Sequence, residues 1–318
     1  MRNVQTSRHG YWPERVRIVG IVNPSSGRGK AAKAWSRLRA HLSGPVKTLQ
    51  TGARGHASDL TRQAIQEGAE IIVAVGGDGT INEVVNGFFE HDKLISDTAT
   101  LAILPHGTGS DFSRALHIPE GVEKTAALIQ SGQPRLLDLM MVRYTTMEGA
   151  QAERYSVNIT SFGMSGTVAS RVNRSSKTFG GKTSFVLAAL RTAITFRGNG
   201  VTISLDNSIA IEAKVINVAV GNGQYHGAGM LACPRAAIDD GLIDVTLIEF
   251  LPLPELIRSL PLLYNGKIYE HPKVRFFRAK CVRADSQESA RCEIDGEPLG
   301  RLPIEITVIP EAIRVLAP

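Results

Sequence analysis

Long apolar runs, cysteine and, over whole stretches, acidic residues are what this sequence lacks. No segment approaches the roughly eighteen uninterrupted apolar residues of a spanning helix, and the polar residues 1–13 hold no hydrophobic leader core. The expectation is a cytoplasmic protein. Cysteine occurs three times, at Cys233, Cys281 and Cys292, an odd number with no close pair, which argues against a disulfide framework or a zinc site. No acid falls between Arg15 and Ser58, while Arg17, Arg28, Lys30, Lys33, Arg37, Arg39, Lys47 and Arg54 do. A second acid-free run spans residues 171–197 with Arg174, Lys177, Lys182 and Arg191, and a third holds Lys273, Arg275, Arg278, Lys280 and Arg283. Such runs attract polyanions, whether nucleotide phosphates or an anionic membrane, or else are solvated faces. No nucleic-acid motif accompanies them, so nucleic acid is not an expected partner.

What is present is an ordinary globular composition, 43% hydrophobic and 21% charged, with net charge +6. At 318 residues the chain exceeds what one core usually organises, so two domains are expected, 14–133 and 134–318, the last residues free to return to the first. The organising stretch is Ile71-Ile72-Val73-Ala74-Val75, a buried strand by composition, followed by Gly76-Gly77-Asp78-Gly79-Thr80 and then apolar positions 81, 84, 85 and 88 at helical spacing. The glycines let backbone N–H groups approach an anion, and Thr80 can cap the helix. Asp78 would repel that anion unless a metal ion or a transferable proton lay between them, which suggests metal-assisted phosphoryl chemistry.

Two more loops have the same strand-loop-helix form. Asn23-Pro24-Ser25-Ser26-Gly27-Arg28-Gly29-Lys30 follows the strand 16–22, and Pro105-His106-Gly107-Thr108-Gly109-Ser110-Asp111 follows the strand 101–104, where Ser110 or Asp111 can cap. The first is no Walker loop, because Pro24 stands where its first glycine belongs and Ala31 replaces its metal-binding hydroxyl. It matches G-x-G-x-x-A through Gly27, Gly29 and Ala32, yet the acid that a dinucleotide's ribose requires is missing from the run that follows. A parallel sheet would gather all three loops along one edge.

After Pro134 the pattern becomes alternating β segments, an antiparallel β domain. Two helical segments interrupt it, 183–196 and 253–264; the first, apolar and flanked by Lys and Arg, reads as a core cover or as a membrane-docking element. Asp240, on a turn before a strand, can join backbone carbonyls around a hard cation or simply make a turn. Asp295-Gly296 reads as a hairpin turn, or places Asp295 or Glu297 at a cleft as general base.

Together, Asn23-Pro24-Ser25-Ser26-Gly27, Gly76-Gly77-Asp78-Gly79-Thr80 with Asn82-Glu83, Gly107-Thr108-Gly109, Asp240-Gly241-Leu242 and Asp295-Gly296-Glu297 resemble the diacylglycerol kinase catalytic family, in family order from residue 16 onward. The resemblance implies an α/β protein: an N-terminal three-layer α/β nucleotide-binding domain, a C-terminal antiparallel β-sandwich domain and a cleft between them. It implies transfer of the γ-phosphate of ATP to a lipid hydroxyl, with Mg2+ and transient contact with an anionic membrane at the inner face. By the same resemblance Asn23, Pro24, Ser25, Ser26, Gly27, Thr51, Gly76, Gly77, Asp78, Gly79, Thr80, Ile81, Asn82 and Thr108 bind ATP. Asp240 with the carbonyls of Ala237 and Leu242 holds Mg2+. Glu297 takes the family's proton-acceptor position, with Asp295 in the same segment; in the related sphingosine kinases the acid matching Asp78 is the proposed base, so both assignments stand open. Ser110 replaces the family's usual Asn, and His106 its usual apolar residue. NAD kinase shares the glycine turn, making a water-soluble acceptor the nearest enzymatic alternative and a nucleotide-binding regulatory protein the non-enzymatic one. An exposed edge strand in the β domain would permit a homodimer.

Overall fold

The computed structural model describes residues 17–107, 109–174, 181–206 and 210–318, with the side chains of 174 and 181–187 left aside. Thr108, and Arg15 and Lys177 of the basic runs, lie outside the described residues. Apolar runs with β-branched residues form β1 (Ile18–Val22), β3 (Ile71–Gly76) and β6 (Thr100–Pro105) once β2 (Val46–Gln50) is counted between the first two. Helices α1 (Lys30–His41), α2 (His56–Gln66), α3 (Asp78–Asn86), α4 (Asp111–Ala115) and α5 (Val122–Ser131) alternate with them, and β4 (Phe89–Glu90) and β5 (Lys93–Leu94) make a small hairpin. The parallel order is β2-β1-β3-β6. Every residue of β1 and β3 is buried, as a sheet covered on both faces requires. Trp35 and Leu38 pack on one face and Ile81, Val84 and Phe88 on the other.

The C-terminal part is antiparallel. It contains β7 (Pro134–Thr146), β8 (Gln151–Ser156), β9 (Ile159–Gly163), α6 (Met164–Arg174), α7 (Gly181–Thr195), β10 (Asn199–Leu205), β11 (Ile211–Gly221), β12 (Tyr225–His226), β13 (Met230–Leu231), β14 (Ile243–Glu249), α8 (Leu253–Tyr264), β15 (Val274–Ala279), β16 (Cys281–Asp285), β17 (Arg291–Ile294) and β18 (Glu297–Leu316). Phe162, Val218, Leu247 and Ile306 are among the side chains of its own core. The fold is thus an N-terminal α/β domain joined to a C-terminal β-sandwich-like domain. The long β18 pairs antiparallel with β7 and β16, and its residues Arg314 and Val315 run parallel beside β6. One strand therefore ties both domains together.

Two sequence expectations change here. The third basic run is not a free cationic face: Lys273 pairs with Glu255, Arg275 with Glu249, Arg278 with Asp240 and Asp244, and Arg283 with Glu305. Its acidic partners lie on neighbouring strands, on α8 or on the loop before β14, out of sight in a linear reading. Helix α7 packs on α6, burying Ala188 but leaving Leu190 and Ile194 exposed, so only one of its faces is covered.

Candidate active site

The chain leaves β1, β3 and β6 at the same sheet edge, where Asn23 N–H bonds Val75 C=O at 3.0 Å, Thr51 N–H bonds Val22 C=O at 2.9 Å and His106 N–H bonds Gly76 C=O at 2.7 Å. A connection on each side of β1 makes this the switch point at which α/β sheets bind ligands. Helix α3 begins at Asp78 with no side-chain cap, and its first acceptor-bound amide is that of Ile81, 3.0 Å from Gly77 C=O. Gly77 to Thr80 line the cleft, so the positive end of the helix dipole lies at its wall, where it can make a phosphate seat. A Cβ on Gly107 would lie 2.6 Å from the Gly77 Cα, so the two turns touch backbone to backbone and Gly107 admits no side chain without a shift.

The expected caps differ in detail. Thr80 lies inside α3, and its Oγ1 accepts from Asn23 Nδ2 at 3.0 Å, locking the first loop to the second. Ser110 adopts φ 53° and makes no capping bond either. The cap of α2 comes instead from Glu83, whose carboxylate accepts Gly55 N–H at 2.9 Å and Ala57 N–H at 3.2 Å, fixing the loop that carries Arg54.

A cleft of about 1050 Å³ runs from these turns into the second domain. Asn23, Ser25, Ser26, Thr51 and Gly77 to Thr80 line its polar end. Pro24, Gly27 and Gly76 do not reach its wall, and neither do Ile81 and Asn82. Ile81 is core, and Asn82 is turned toward the second domain, giving its amide to Asp295 at 2.6 Å and to Tyr155 C=O at 2.8 Å and accepting from Arg154 at 2.7 Å. Packing and an interdomain stitch are what the structure shows for these two side chains. The other end of the cleft is apolar, with Val168, Ile216, Leu256 and Leu260 in its wall.

Three carboxylates expected to act are found in three different settings. Asp295 is a hub: Oδ1 accepts from Ser156 Oγ at 2.9 Å and from the amides of Asn158 and Ile159, both at 3.0 Å, while Oδ2 accepts from Asn82 and from Val157 N–H at 2.8 Å. Burial pushes its carboxyl up to about 6 against the pull of those donors. With both oxygens saturated it has no lone pair to offer a substrate. Glu297 is held by Arg54 at 2.8 Å and Arg154 at 3.5 Å, and its Oε1 is 3.5 Å from where a Cβ on Gly79 would sit, beside the phosphate seat. Asp78 accepts Phe112 N–H at 3.2 Å, and burial, reinforced by the charge of Asp111, raises its pKa. Asp111 itself is a site residue the sequence reading took for a helix cap; buried, it pairs with Arg114 at 3.0 Å and accepts Ala228 N–H at 2.8 Å from the second domain. Its only sequence signal was an acid directly after the third glycine loop.

The loop expected to hold Mg2+ carries an ion pair. Asp240 pairs with Arg278, which also reaches Asp244 at 3.0 Å, and Leu242 offers Asp240 its N–H at 3.1 Å. Ala237 stands on the same loop, braced where Gly241 N–H meets Asp138 at 2.7 Å. Among the described residues no three His, Cys, Asp or Glu side chains gather to hold a metal. Arg278 supplies positive charge beside Asp240 here, while the set expected for Mg2+, one carboxylate with the main-chain carbonyls of Ala237 and Leu242, needs no such cluster of side chains.

Comparison with known proteins agrees along the whole chain. Residues 17–142 match the model of the diacylglycerol kinase catalytic domain, and residues 158–317 that of the YegS C-terminal NAD kinase beta sandwich-like domain. A diacylglycerol kinase of Staphylococcus carnosus is 28% identical over 308 residues, 96% of this chain and 95% of its own. One of Mycobacterium tuberculosis is 28% identical over 307 residues, covering 95% of each. In fold, the crystal structure of a diacylglycerol kinase from Bacillus anthracis superposes with TM-score 0.71 at 22% identity, covering 96% of this chain and 98% of that one. Yeast NADH kinase does so with TM-score 0.52 at 14% identity, covering 96% and 85%.

Proposed function

Because the chain belongs to the diacylglycerol kinase family, a family of kinases, we propose that it transfers the γ-phosphate of ATP to a hydroxyl of a membrane lipid, diacylglycerol or a similar long-chain alcohol, yielding phosphatidic acid in the first case. The observation that carries this reading is the two-ended cleft, in which Glu297 stands beside the phosphate seat and the far wall is apolar enough for an acyl chain. Kinase chemistry calls for ATP and a divalent metal. Mg2+ carried on the nucleotide would meet Asp78 and Asp111 and neutralise phosphate charge. Glu297 accepts the proton of the lipid hydroxyl, whose oxygen bonds to the γ-phosphorus while the bond to the ADP oxygen breaks. Arg54 and Arg154 orient Glu297, and the amides at the start of α3 receive charge from the transferred group. Asp295 aligns the turn rather than acting on substrate.

Around the apolar end, Leu190, Ile194, Ile257 and Tyr264 are exposed, with Arg191, Arg197 and Arg258 nearby in sequence. An amphipathic rim of this kind supports transient docking on an anionic bilayer. The test is transfer from γ-labelled ATP to a lipid panel in mixed micelles, with NAD as a water-soluble control. Labelled lipid is the expected product; labelled NADP, or no product with ATP bound, would overturn the reading.

A further inference from the structure

Glu293 plays no part in the chemistry above, yet it is fully buried on β17 between the core residues Cys292 and Ile294. An unsatisfied carboxylate in such a place costs several kcal/mol, on the order expected for a buried ion, so its partners define its purpose. Oε2 accepts Gly296 N–H at 2.6 Å, and Gly296, at φ +84°, is the residue between Asp295 and Glu297. Oε1 accepts the hydroxyl of Ser161, its register neighbour on β9, and faces His226 Nε2 at 3.7 Å. Glu293 is therefore bonded at one oxygen to the turn that carries Glu297, and at the other to Ser161, with the His226 imidazole facing that oxygen at 3.7 Å. His226, on β12, is largely buried and forms part of the cleft wall, the sole imidazole to do so among the described residues. Ala228, two residues on, gives its N–H to Asp111, and Met164 and Ile216 line the same cleft.

We propose that Glu293 is a positioning residue that sets Glu297 through the Gly296 amide, and that His226, held against Glu293, hydrogen-bonds an oxygen of the acceptor lipid next to its reacting hydroxyl. This rests on the lipid-kinase reading. A carboxylate facing one imidazole nitrogen favours an N–H there by its charge and leaves the other nitrogen for a ligand.

Mixed-micelle kinetics on wild type, His226→Ala, His226→Asn and Glu293→Gln test it. His226→Ala raises KM for lipid about tenfold, the worth of one hydrogen bond, with KM for ATP and thermal midpoint unchanged, and His226→Asn recovers part of the loss. Glu293→Gln lowers kcat about tenfold or more with both KM values held, since a displaced base impairs chemistry rather than binding. A lipid KM untouched in His226→Ala, an equal rise in KM for ATP, or a wild-type kcat in Glu293→Gln would overturn the proposal alone. A wild type that labels no lipid would overturn the lipid-kinase reading and this inference with it.

Discussion

Five donors converge on Asp295, whereas Glu297 meets two guanidinium groups at the edge of the cleft. Exchange of each carboxylate for its amide therefore separates architecture from chemistry. Glu297→Gln keeps the shape, loses the proton acceptor and cuts kcat by roughly 10² to 10⁴, the usual worth of a general base, with the thermal midpoint nearly unchanged. Asp295→Asn turns an NH2 toward amides that need an acceptor, at about 1–3 kcal/mol for each donor left unpaired, so midpoint and activity fall together. Kinetics beside thermal melts check both, and a stable but inactive Asp295→Asn would return Asp295 to the list of bases. Burial also raises Asp244, to about 6 from 3.8, as it does Asp295. Between those values the folded state binds more protons than the unfolded one, so stability is fully present below about 4 and declines as pH rises through 6. Denaturation midpoints are expected to be higher at pH 5 than at pH 7; an opposite slope would refute the assignment. The glycine turns were legible in the sequence because their chemistry is local, but the saturation of Asp295 was not. Four of its donors come from residues 136 to 139 positions earlier, which no spacing rule connects.

At the scale of an element, the loop before β14 sets a guanidinium beside the acid that the motif offers to a cation. Asp240-Gly241-Leu242 has the residues for a cation, and the sequence alone supports that expectation, yet β15 brings Arg278 against Asp240 and Asp244 in antiparallel register with β14. The lone Arg278 thus sits opposite two carboxylates, one of them buried. Removing divalent metal with a chelator, nucleotide absent, is expected to leave the thermal midpoint where it was. Arg278→Ala lowers it by leaving both acids unpaired, and millimolar Mg2+ then recovers part of the loss at Asp240. A wild-type midpoint that drops on chelation would restore the Mg2+ site. The element boundaries themselves were largely readable, α2 from residue 56 to 66 among them, because hydrophobic period and flanking glycines act within one element. Pairing between elements was not, and that is where the third basic run lost its free charge.

Over the whole molecule, the two domains are joined by β18, by Asn82 reaching Tyr155 and Asp295, and by Ala228 reaching Asp111, so the cleft is walled by groups that brace one another across the junction. Its polar end faces the nucleotide loops and its apolar end lies near α7 and α8, the helices that leave Ile194 and Ile257 exposed. A lipid acceptor can enter that end without leaving the bilayer only if these helices touch the surface. Putting a carboxylate on them sets charge repulsion against the loss of apolar contact, and fully burying an isoleucine is worth about 1.5–3 kcal/mol. Ile194→Glu and Ile257→Glu are each expected to weaken co-sedimentation with anionic vesicles by about tenfold and to raise the apparent KM for micellar lipid, with KM for ATP unchanged because the nucleotide loops lie at the opposite end. If both variants sediment like wild type, the lipid reaches the cleft by another face, and the basic loop that follows β1 becomes the surface to probe, since Arg28 and Lys30 are exposed there.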